Sequence, residues 1–458
     1  MKLAKVIPTS LAILGAVSIA LTSEQLEQEY RANPPKTLGD SNNLTYAGKY
    51  PNEFKTWRAT AAMETNTRYA GSGFRDYLEE HPNLVVMWAG YPFALEYNQA
   101  RGHFHALDDV KGTKRVNDKT PGTCYSCKSP DVPRVMARDG VSKFYGNKFS
   151  NYVADMKNPI GCSDCHELGT MKLQISRPGL IEGFKAMGKD IAKASKDEMR
   201  SLVCAQCHVE YHFKGPDKYL KFPWDKGLKA ENFEAYYEES GHSDWTHAIS
   251  GAKMVKMQHP DYEVFQQSLH GKRGVSCADC HMPTKTVGKK EVTDHQIRSP
   301  LYMADQSCGN CHDWTADQAK QRVYEIQDRN REMLDRVERV LTAGHLEIGD
   351  AMKLGASDEE LANVRKTISK AQMYWDYIAA ANGMGFHAPQ ESVRVLGKAL
   401  DLGQECRLEV QAIRLRRGAT GPAGMPDIGS KTKAQAFIKP FVEAAAAKAA
   451  ASVKPPSR

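Results

Sequence analysis

The distribution of cysteine constrains this 458-residue chain more than any other feature of its sequence. Ten of the eleven cysteines form five Cys-x-x-Cys pairs, and Cys406 stands apart from them. Disulfides within such tight pairs would cross-link nothing distant, so they would make a poor covalent framework. The pairs are therefore expected to serve another chemistry. They are Cys124 with Cys127, Cys162 with Cys165, Cys204 with Cys207, Cys277 with Cys280, and Cys308 with Cys311.

Four of the five pairs have histidine immediately after the second cysteine, which is the attachment signature of c-type haem. Two thiols at this spacing can each form a thioether with a vinyl group on one haem edge, and the next residue then lies under the iron. Zinc ribbons need a second ligand pair instead, and a thioredoxin-like dithiol would occur once, near a βαβ pattern. Four copies in one chain therefore favour haem. The proximal ligands that they predict are His166, His208, His281 and His312.

The fifth pair differs, because Lys128 follows Cys127 where the other pairs have histidine. An ammonium has no lone pair, so lysine can bind iron only as the neutral amine, with its pKa lowered from about 10.4 by burial and by the metal's charge. One alternative is that this pair is degenerate and that Lys128 is a surface residue. The stronger hypothesis is that Lys128 is the proximal ligand of a haem whose distal face is open to substrate.

Length and composition exclude several classes of protein. About 150 residues per domain would allow roughly three domains, and 41% hydrophobic residues are enough to bury a core, so the chain is neither disordered nor collagen-like. Only the first residues contain a long apolar run, which excludes a polytopic membrane protein. Residues 1–22 predict a signal peptide or an uncleaved N-terminal anchor, and hence a periplasmic protein that is membrane-associated only through that segment or a redox partner. The net charge of +7 suits anionic substrates loosely.

We expect a mainly α fold with little β-sheet, because few segments alternate at period two and five haems would fill much of the interior of a multihaem cytochrome c body. Apolar residues recur at helical spacing over 323–341, in a run expected to stop near Gly344, and further helical runs cover 358–381 and 391–417. The expected organisation has four parts. They are the N-terminal segment 1–22, a haem-bearing body 23–313, a long-helix region 314–443 and a flexible tail 444–458.

The segment Cys-Tyr-Ser-Cys-Lys-Ser-Pro at 124–130, followed by four Cys-x-x-Cys-His sites, resembles pentahaem cytochrome c nitrite reductase, the ammonia-forming enzyme with a Lys-ligated active-site haem. The resemblance covers nearly the whole chain beyond the N-terminal segment, with its motifs in matching order. The other segments that carry it are 88–93, 101–103, 204–211, 256–260, 277–283, 293–295 and 387–389.

The resemblance implies that the Lys128 haem is catalytic, with Arg115, Tyr211 and His259 around its distal pocket. A fixed guanidinium and a protonatable imidazole suit the capture of a small anion and the cleavage of its N–O bonds. A phenol can donate a hydrogen bond or relay protons. Without the resemblance, Arg115 would be interpreted as part of a basic surface stretch with Lys114.

The resemblance also implies further metal ligands. One calcium ion would lie beside the active haem, bound by the side chains of Glu210 and Gln258 and by the backbone carbonyls of Tyr211 and Lys256, a set of oxygen ligands that suits this cation. Four haems would have histidine on both faces and would conduct electrons. Their second ligands would be His103 for the Cys204 haem, His295 for the Cys162 haem, His387 for the Cys277 haem and His270 for the Cys308 haem. The remaining histidines are expected at the surface or in packing, and Cys406 as a buried free thiol.

The implied function is dissimilatory reduction of nitrite to ammonium, a six-electron reaction. The electron donor would be a membrane-bound multihaem quinol dehydrogenase or another cytochrome, the long C-terminal helices would form a homodimer, and no nucleic-acid partner is expected. Two alternatives stay open, a purely electron-carrying multihaem cytochrome and a related hydroxylamine or sulfur-oxyanion oxidoreductase. A coordination position open to nitrite would separate an enzyme from an electron carrier.

Overall fold

Helices dominate residues 41–452, the part of the chain that the computed structural model describes. Six short strands in this part form three separate two-stranded antiparallel sheets, so the predicted mainly α fold with little β-sheet is confirmed. The predicted N-terminal segment 1–22 lies outside the described residues. Among the residues that are described, no helix combines the length and the apolar character needed to cross a membrane.

As far as Ser307, every helix of the described chain has at most eleven residues, and single turns of 3-10 helix lie among them. They are α1 (Pro51–Arg58), α2 (Tyr77–Glu80), α3 (Asn83–Met87), α4 (Ala106–Gly112), α5 (Val132–Asp139), α6 (Val141–Gly146), α7 (Cys162–Cys165), α8 (Pro178–Ala186), α9 (Lys196–Ala205), α10 (Ala230–Ser240), α11 (Asp261–Gln266), α12 (Leu269–Lys272), α13 (Cys277–His281) and α14 (Ala304–Ser307). The 3-10 turns are Asn43–Tyr46, Ala59–Ala62, Pro92–Ala94, Gly122–Tyr125, Phe149–Tyr152, Ile191–Lys193 and Pro300–Met303.

Three hairpins and four long helices complete the architecture. The paired strands are β1 (His212–Lys214) with β2 (Tyr219–Lys221), β3 (Trp245–Thr246) with β4 (Lys253–Met254), and β5 (Thr284–Val287) with β6 (Lys290–Thr293). The long helices are α15 (Ala316–Lys353), α16 (Asp358–Ala379), α17 (Pro389–Arg416) and α18 (Lys431–Ser452).

Local capping signals define where the long helices begin. The Thr315 hydroxyl accepts from the backbone N–H of Gln318, and the Gln318 side chain accepts from the N–H of Thr315, which completes a capping box. Ser357 and Glu360 repeat this arrangement before α16. Pro389 opens α17 at the first helical position, where its missing N–H costs nothing. The helical runs predicted over 358–381 and 391–417 are confirmed.

The first long helix does not stop near Gly344, so that part of the prediction is wrong. Helix α15 continues to Lys353, and Gly344 lies buried within it. A Cβ atom built at Gly344 would lie 2.9 Å from Cδ1 of Ile368. Glycine at this position therefore serves the close approach of α15 and α16, and it does not end the helix.

Helix α18 reaches Ser452, so the described part of the predicted flexible tail, 444–452, is helical. The sequence there is alanine-rich, and alanine has the highest intrinsic helix propensity. Residues 453–458 lie outside the description.

The long helices share one core with the haem-bearing part of the chain. Helix α3 packs against both α15 and α18. The ring of Trp88, just after α3, lies 6.4 Å from that of Trp375 in α16, and Trp375 donates from Nε1 to the Leu334 carbonyl of α15 over 3.1 Å. This continuity brings side chains of α16 close to the loops that hold the candidate site.

Candidate active site

Four pairs of histidine rings face each other across spaces of one size. An iron atom bonded at about 2 Å to one nitrogen of each ring requires ring centroids roughly 6 Å apart, because each nitrogen lies about 1 Å from its centroid. The observed centroid separations are 6.2 to 6.3 Å, so each space fits a six-coordinate haem iron. The pairs are His103 with His208, His166 with His295, His281 with His387, and His270 with His312.

Hydrogen bonds to the other ring nitrogen fix the orientation of these rings. At the Cys162 site, Nδ1 of His166 donates to the Met171 carbonyl and Nδ1 of His295 donates to the Thr293 carbonyl, each over 2.8 Å. A carbonyl can only accept, so the proton resides on Nδ1 and Nε2 keeps the lone pair that a metal needs. The two rings are thus oriented to offer two nitrogen ligands at this site.

Asp261 supports two of the histidines at once. Its carboxylate lies 3.1 Å from Nδ1 of His208 and 3.8 Å from Nδ1 of His387. The backbone and side-chain N–H groups of Asn382 also donate to it, over 2.6 and 2.8 Å. Burial opposes ionisation of Asp261, yet the hydrogen bond from His208 and the neighbouring imidazoles lower its pKa to about 2. Asp261 therefore remains an anion behind the imidazoles of two different predicted haems.

The ten paired cysteines form no disulfide, and thiols of different pairs neighbour one another. The thiols of Cys127 and Cys207 lie close enough to shift each other's pKa, and so do those of Cys204 and Cys277. Haems attached to these three pairs would therefore lie edge to edge. The arrangement offers electrons a short route from the Cys277 pair, through the Cys204 pair, to the pair that precedes Lys128.

A buried arginine holds the loop that carries Lys128. Arg177 donates from Nε to the Ser126 carbonyl over 2.7 Å and from its terminal nitrogen to the Ser129 carbonyl over 2.8 Å. It also forms a buried ion pair with Asp164, which lies between the cysteines of the next motif. Arg177 thereby fixes the backbone on both sides of the half-buried Lys128.

The three side chains predicted to surround the catalytic haem lie within electrostatic range of the 124–128 segment. Burial, followed by the charge of Lys128, lowers the pKa of His259 to about 3. Burial, followed by the thiols of the Cys124 pair, raises the pKa of Tyr211. Burial raises the pKa of the Cys124 thiol to about 11 against the opposing charges of Lys128 and Arg115. His259 is thus a neutral imidazole and Tyr211 a protonated phenol near this segment.

The Arg115 side chain is held by neighbouring side chains and is not a free surface charge. Its guanidinium carbon lies 4.3 Å from the ring centroid of Phe93, which favours a cation–π contact. Its Nε donates to the Thr113 hydroxyl over 3.2 Å, and that hydroxyl donates to Glu96 over 2.5 Å. Stacking and hydrogen bonding together leave few rotamers open to the side chain.

Hydrogen bonds join three of the predicted calcium-binding residues, Glu210, Gln258 and Lys256. Glu210 is fully buried, and one of its oxygens accepts from the backbone N–H of Gln258 over 2.6 Å. The Gln258 side-chain amide lies 3.0 Å from the Lys256 carbonyl, so a flipped amide would aim both oxygens at one point. Burial raises the pKa of Glu210 well above its ordinary value, so a cation bound nearby would stabilise its ionised form. These oxygen donors fit Ca²⁺.

A second buried carboxylate strengthens that argument. Glu263 is fully buried, and its Oε1 accepts from the backbone N–H of Glu210 and from Nε1 of Trp224, each over 2.8 Å. Its Oε2 has no hydrogen-bond partner among the described residues. Burial raises the pKa of Glu263 to about 8. Two adjoining carboxyl groups buried in this way favour a nearby cation.

Sequence reasoning missed Asp261, Arg177, Glu263 and Asp376, whose buried contacts support the predicted site. Arg177, Glu263 and Asp376 lie outside the motifs and bind backbone groups of the site. Such backbone contacts have no sequence signature. Asp261 had one weak signal, because it follows the predicted site residue His259 by two positions.

The unassigned histidines that the structure buries most deeply are packing residues. His247 and His345 stack with ring centroids 3.7 Å apart, and the Ser250 hydroxyl lies within 3.1 Å of Nδ1 of both. Cys406 is buried, and its thiol donates to the Val364 carbonyl over 3.4 Å. The expectation of a buried free thiol is confirmed.

The mainly helical fold, the Cys-x-x-Cys-His motifs and the facing histidines define a multihaem c-type cytochrome, an oxidoreductase. The family model for cytochrome c552 matches residues 42–457. The chain therefore belongs to the cytochrome c552 family.

Similar proteins agree with this assignment. The chain is 45% identical to cytochrome c-552 of Parabacteroides distasonis and 47% identical to that of Bacteroides fragilis, each over 93% of this chain and 88% of the relative. Among solved structures, it is similar to a cytochrome c nitrite reductase from Desulfovibrio desulfuricans, with a TM-score of 0.79 and 30% identity, over 84% of this chain and 90% of the other. That catalytic subunit has two calcium sites.

Proposed function

We propose that the chain is a dissimilatory nitrite reductase that reduces nitrite to ammonium with six electrons at the haem held by Lys128. One contrast carries the proposal. Four motifs end in a histidine that faces a second histidine at 6.2 to 6.3 Å, whereas the fifth ends in Lys128, which is near enough to influence the pKa of His259. The similarity to a cytochrome c nitrite reductase supports the same conclusion.

Five covalently bound c-type haems would supply electron transfer and, at Lys128, one coordination position open to nitrite. Arg115 would bind the anion, because its guanidinium is always charged and is held against Phe93. His259 and Tyr211 would donate hydrogen bonds to the substrate oxygens through N–H and O–H groups, since both are neutral there. The protein would thus compensate the negative charge that develops where the N–O bonds break, with the six electrons accompanied by protons from solvent.

One calcium ion per subunit would complete the site. Glu210, Gln258 and the carbonyls of Tyr211 and Lys256 would hold it, with water supplying further oxygens. Its charge would keep Glu210 ionised and would assist anion binding nearby. Tyr211 would itself bind the ion through its carbonyl, and Gln258 directly precedes His259 in the sequence. The ion would therefore also fix the positions of Tyr211 and His259.

Electrons would enter through the four bis-His haems from a membrane-bound multihaem quinol dehydrogenase or another cytochrome in the periplasm. The contacts from Cys277 through Cys204 to Cys207 and Cys127 support a continuous route to the catalytic haem. Export through the 1–22 segment would place the protein where c-type haem is attached.

We further propose a homodimer formed by the long helices. Leu408 and Leu415 lie seven residues apart on one face of α17, with exposed fractions of 75% and 58%. Exposed leucines at this spacing suit a helix interface. Sedimentation velocity on wild type and on Leu408→Glu/Leu415→Glu tests this point, with a dimer expected for the first and a monomer for the second.

A turnover assay with reduced viologen as donor tests the proposed activity. Nitrite should be consumed with stoichiometric formation of ammonium, and nitrite should perturb the spectrum of one high-spin haem. Five low-spin haems with no response to nitrite would identify an electron carrier instead. Faster turnover of hydroxylamine or sulfur oxyanions than of nitrite would favour the related oxidoreductases.

A further inference from the structure

We infer that Asp376 of helix α16 is a positioning residue for the active site, because its carboxylate holds the backbone of the 256–259 loop (Lys256–His259). The inference rests on the proposed function, since this loop carries two proposed calcium ligands and His259. Asp376 itself touches neither the proposed calcium ligands' oxygen atoms nor the substrate pocket.

Both oxygens of Asp376 are engaged by the loop. Oδ1 accepts from the Lys256 ammonium over 2.9 Å, and Oδ2 accepts from the backbone N–H of Met257 over 2.9 Å. The two hydrogen bonds involve consecutive residues of the loop. The carboxylate therefore restrains both the position and the rotation of the peptide group between Lys256 and Met257. The Lys256 carbonyl is the proposed calcium ligand at that peptide.

The pair is fully enclosed. The side chains of Lys256 and Asp376 are 1% and 2% exposed. The Lys256 ammonium also lies 5.2 Å from the ring centroid of Trp88 and 5.0 Å from that of Phe93, and it donates to the Met257 carbonyl. A buried charge with these partners has no solvent to replace them, so the loop cannot move away without leaving an unpaired ion.

A second carboxylate holds the loop from the opposite direction. Oδ2 of Asp244 accepts from the backbone N–H of Lys256 over 2.8 Å. Asp244 belongs to the same part of the chain as the site, whereas Asp376 belongs to the long-helix region. Asp376 is therefore a direct contact through which helix α16 restrains the 256–259 loop.

The shared ring of Phe93 extends this arrangement to the anion pocket. Phe93 has the guanidinium of Arg115 at 4.3 Å and the ammonium of Lys256 at 5.0 Å. Movement of Lys256 after loss of Asp376 would disturb the packing that holds Arg115. We therefore expect loss of Asp376 to weaken both calcium and nitrite binding.

The experiment uses the haem-loaded enzyme after chelator treatment, titrated with Ca²⁺ alone, and then with nitrite while the high-spin haem spectrum is followed. Asp376→Asn removes the charge that pairs with Lys256. Lys256→Met/Asp376→Leu replaces the ion pair by apolar side chains of similar volume, which preserves folding, and removes the acceptor for Met257. Both variants should retain five haems and should bind Ca²⁺ at least about tenfold more weakly.

Asp350→Asn is the matched control, because it removes the carboxylate that pairs with the buried Arg414 between α15 and α17, away from the loop. It should lower the melting temperature without changing calcium affinity. Calcium and nitrite affinities within twofold of wild type in the double variant would overturn the inference. A wild-type enzyme that binds neither Ca²⁺ nor nitrite would instead overturn the proposed function.

Discussion

Nδ1 of His208 donates a hydrogen bond to Asp261 over 3.1 Å. The acceptor is an anion, so it pushes electron density onto the imidazole and stabilises the more positive state of a metal on Nε2. The same carboxylate approaches His387, so one residue would influence two neighbouring haems.

Asp261→Asn should raise the reduction potential of the Cys204 haem by on the order of tens of millivolts, because the ferric state loses a nearby negative charge. Spectroelectrochemical titration measures the shift. The Cys162 haem, whose ligands donate to carbonyls, should keep its potential and serves as an internal control. Unchanged potentials at every haem would contradict the role given to Asp261.

Lys128→His should retain all five haems but should lower nitrite turnover by about tenfold or more, because histidine is the ligand of the electron-transferring haems and changes the electronic character of the catalytic one. Haem content by pyridine haemochrome and turnover by ammonium formation check this outcome. Kinetics equal to those of wild type would contradict a special role of Lys128 at the catalytic haem.

Arg115→Ala should raise the nitrite KM by about tenfold to a hundredfold, as expected for loss of a charged hydrogen bond to a bound anion. Lys114→Ala is the matched control, since Lys114 is the exposed neighbour in the same basic stretch. Steady-state kinetics distinguish the two. An equal effect of both substitutions would mean that bulk charge, and not Arg115, attracts nitrite.

Calcium removal by a chelator should abolish most nitrite turnover, and Ca²⁺ should restore it while Mg²⁺ should not, because Mg²⁺ demands a smaller octahedral shell and releases water reluctantly. Glu210→Gln should show the loss without chelator, since the buried carboxylate is the anionic ligand. Full activity of a calcium-free enzyme, verified by elemental analysis, would exclude the proposed site.

Glu338 predicts a pH effect on stability that is independent of the haems. Burial raises its pKa to about 7, above its unfolded value of about 4.3, so the folded state holds a proton more tightly. Its favourable contribution is present below about pH 4.3 and is lost as the pH rises through about 7.

Glu338→Gln should therefore stabilise the protein by about 1 to 3 kcal/mol at pH 8 relative to wild type, with the gain shrinking toward pH 5. Thermal unfolding followed at both pH values measures it. A gain independent of pH would show that Glu338 keeps its charge through the pairing with Arg331.

The sequence predicts much of this fold because its strongest signals are local. Capping at Thr315 and Ser357 and the proline at 389 mark helix starts within a few residues. The helix end at Gly344 was predicted wrongly, because the contact with Ile368 that explains this glycine lies in another helix. Tertiary packing overrides a local signal in that case.

The residues of the candidate site also fall into those that a local motif predicts and those that depend on contacts between distant segments. Spacing alone predicts the attachment cysteines and the proximal ligands, since both lie within one short motif. The second histidines, such as His103 and His387, could be assigned only by resemblance, because they lie far from their motifs in sequence. Asp376 and Arg177 were not predicted at all, since they act through backbone groups of loops that the fold brings to them.

The sequence positions of the facing histidines determine the order in which the two ligands of each proposed haem are synthesised. His103 and His270 precede the cysteine pairs they are proposed to serve, whereas His295 and His387 follow theirs. The proposed Cys277 haem would therefore receive its second imidazole only after the segment that forms α16 has been synthesised. A chain interrupted before His387 would leave that proposed haem iron without its second histidine, so the last part of the polypeptide would complete the proposed path of electrons.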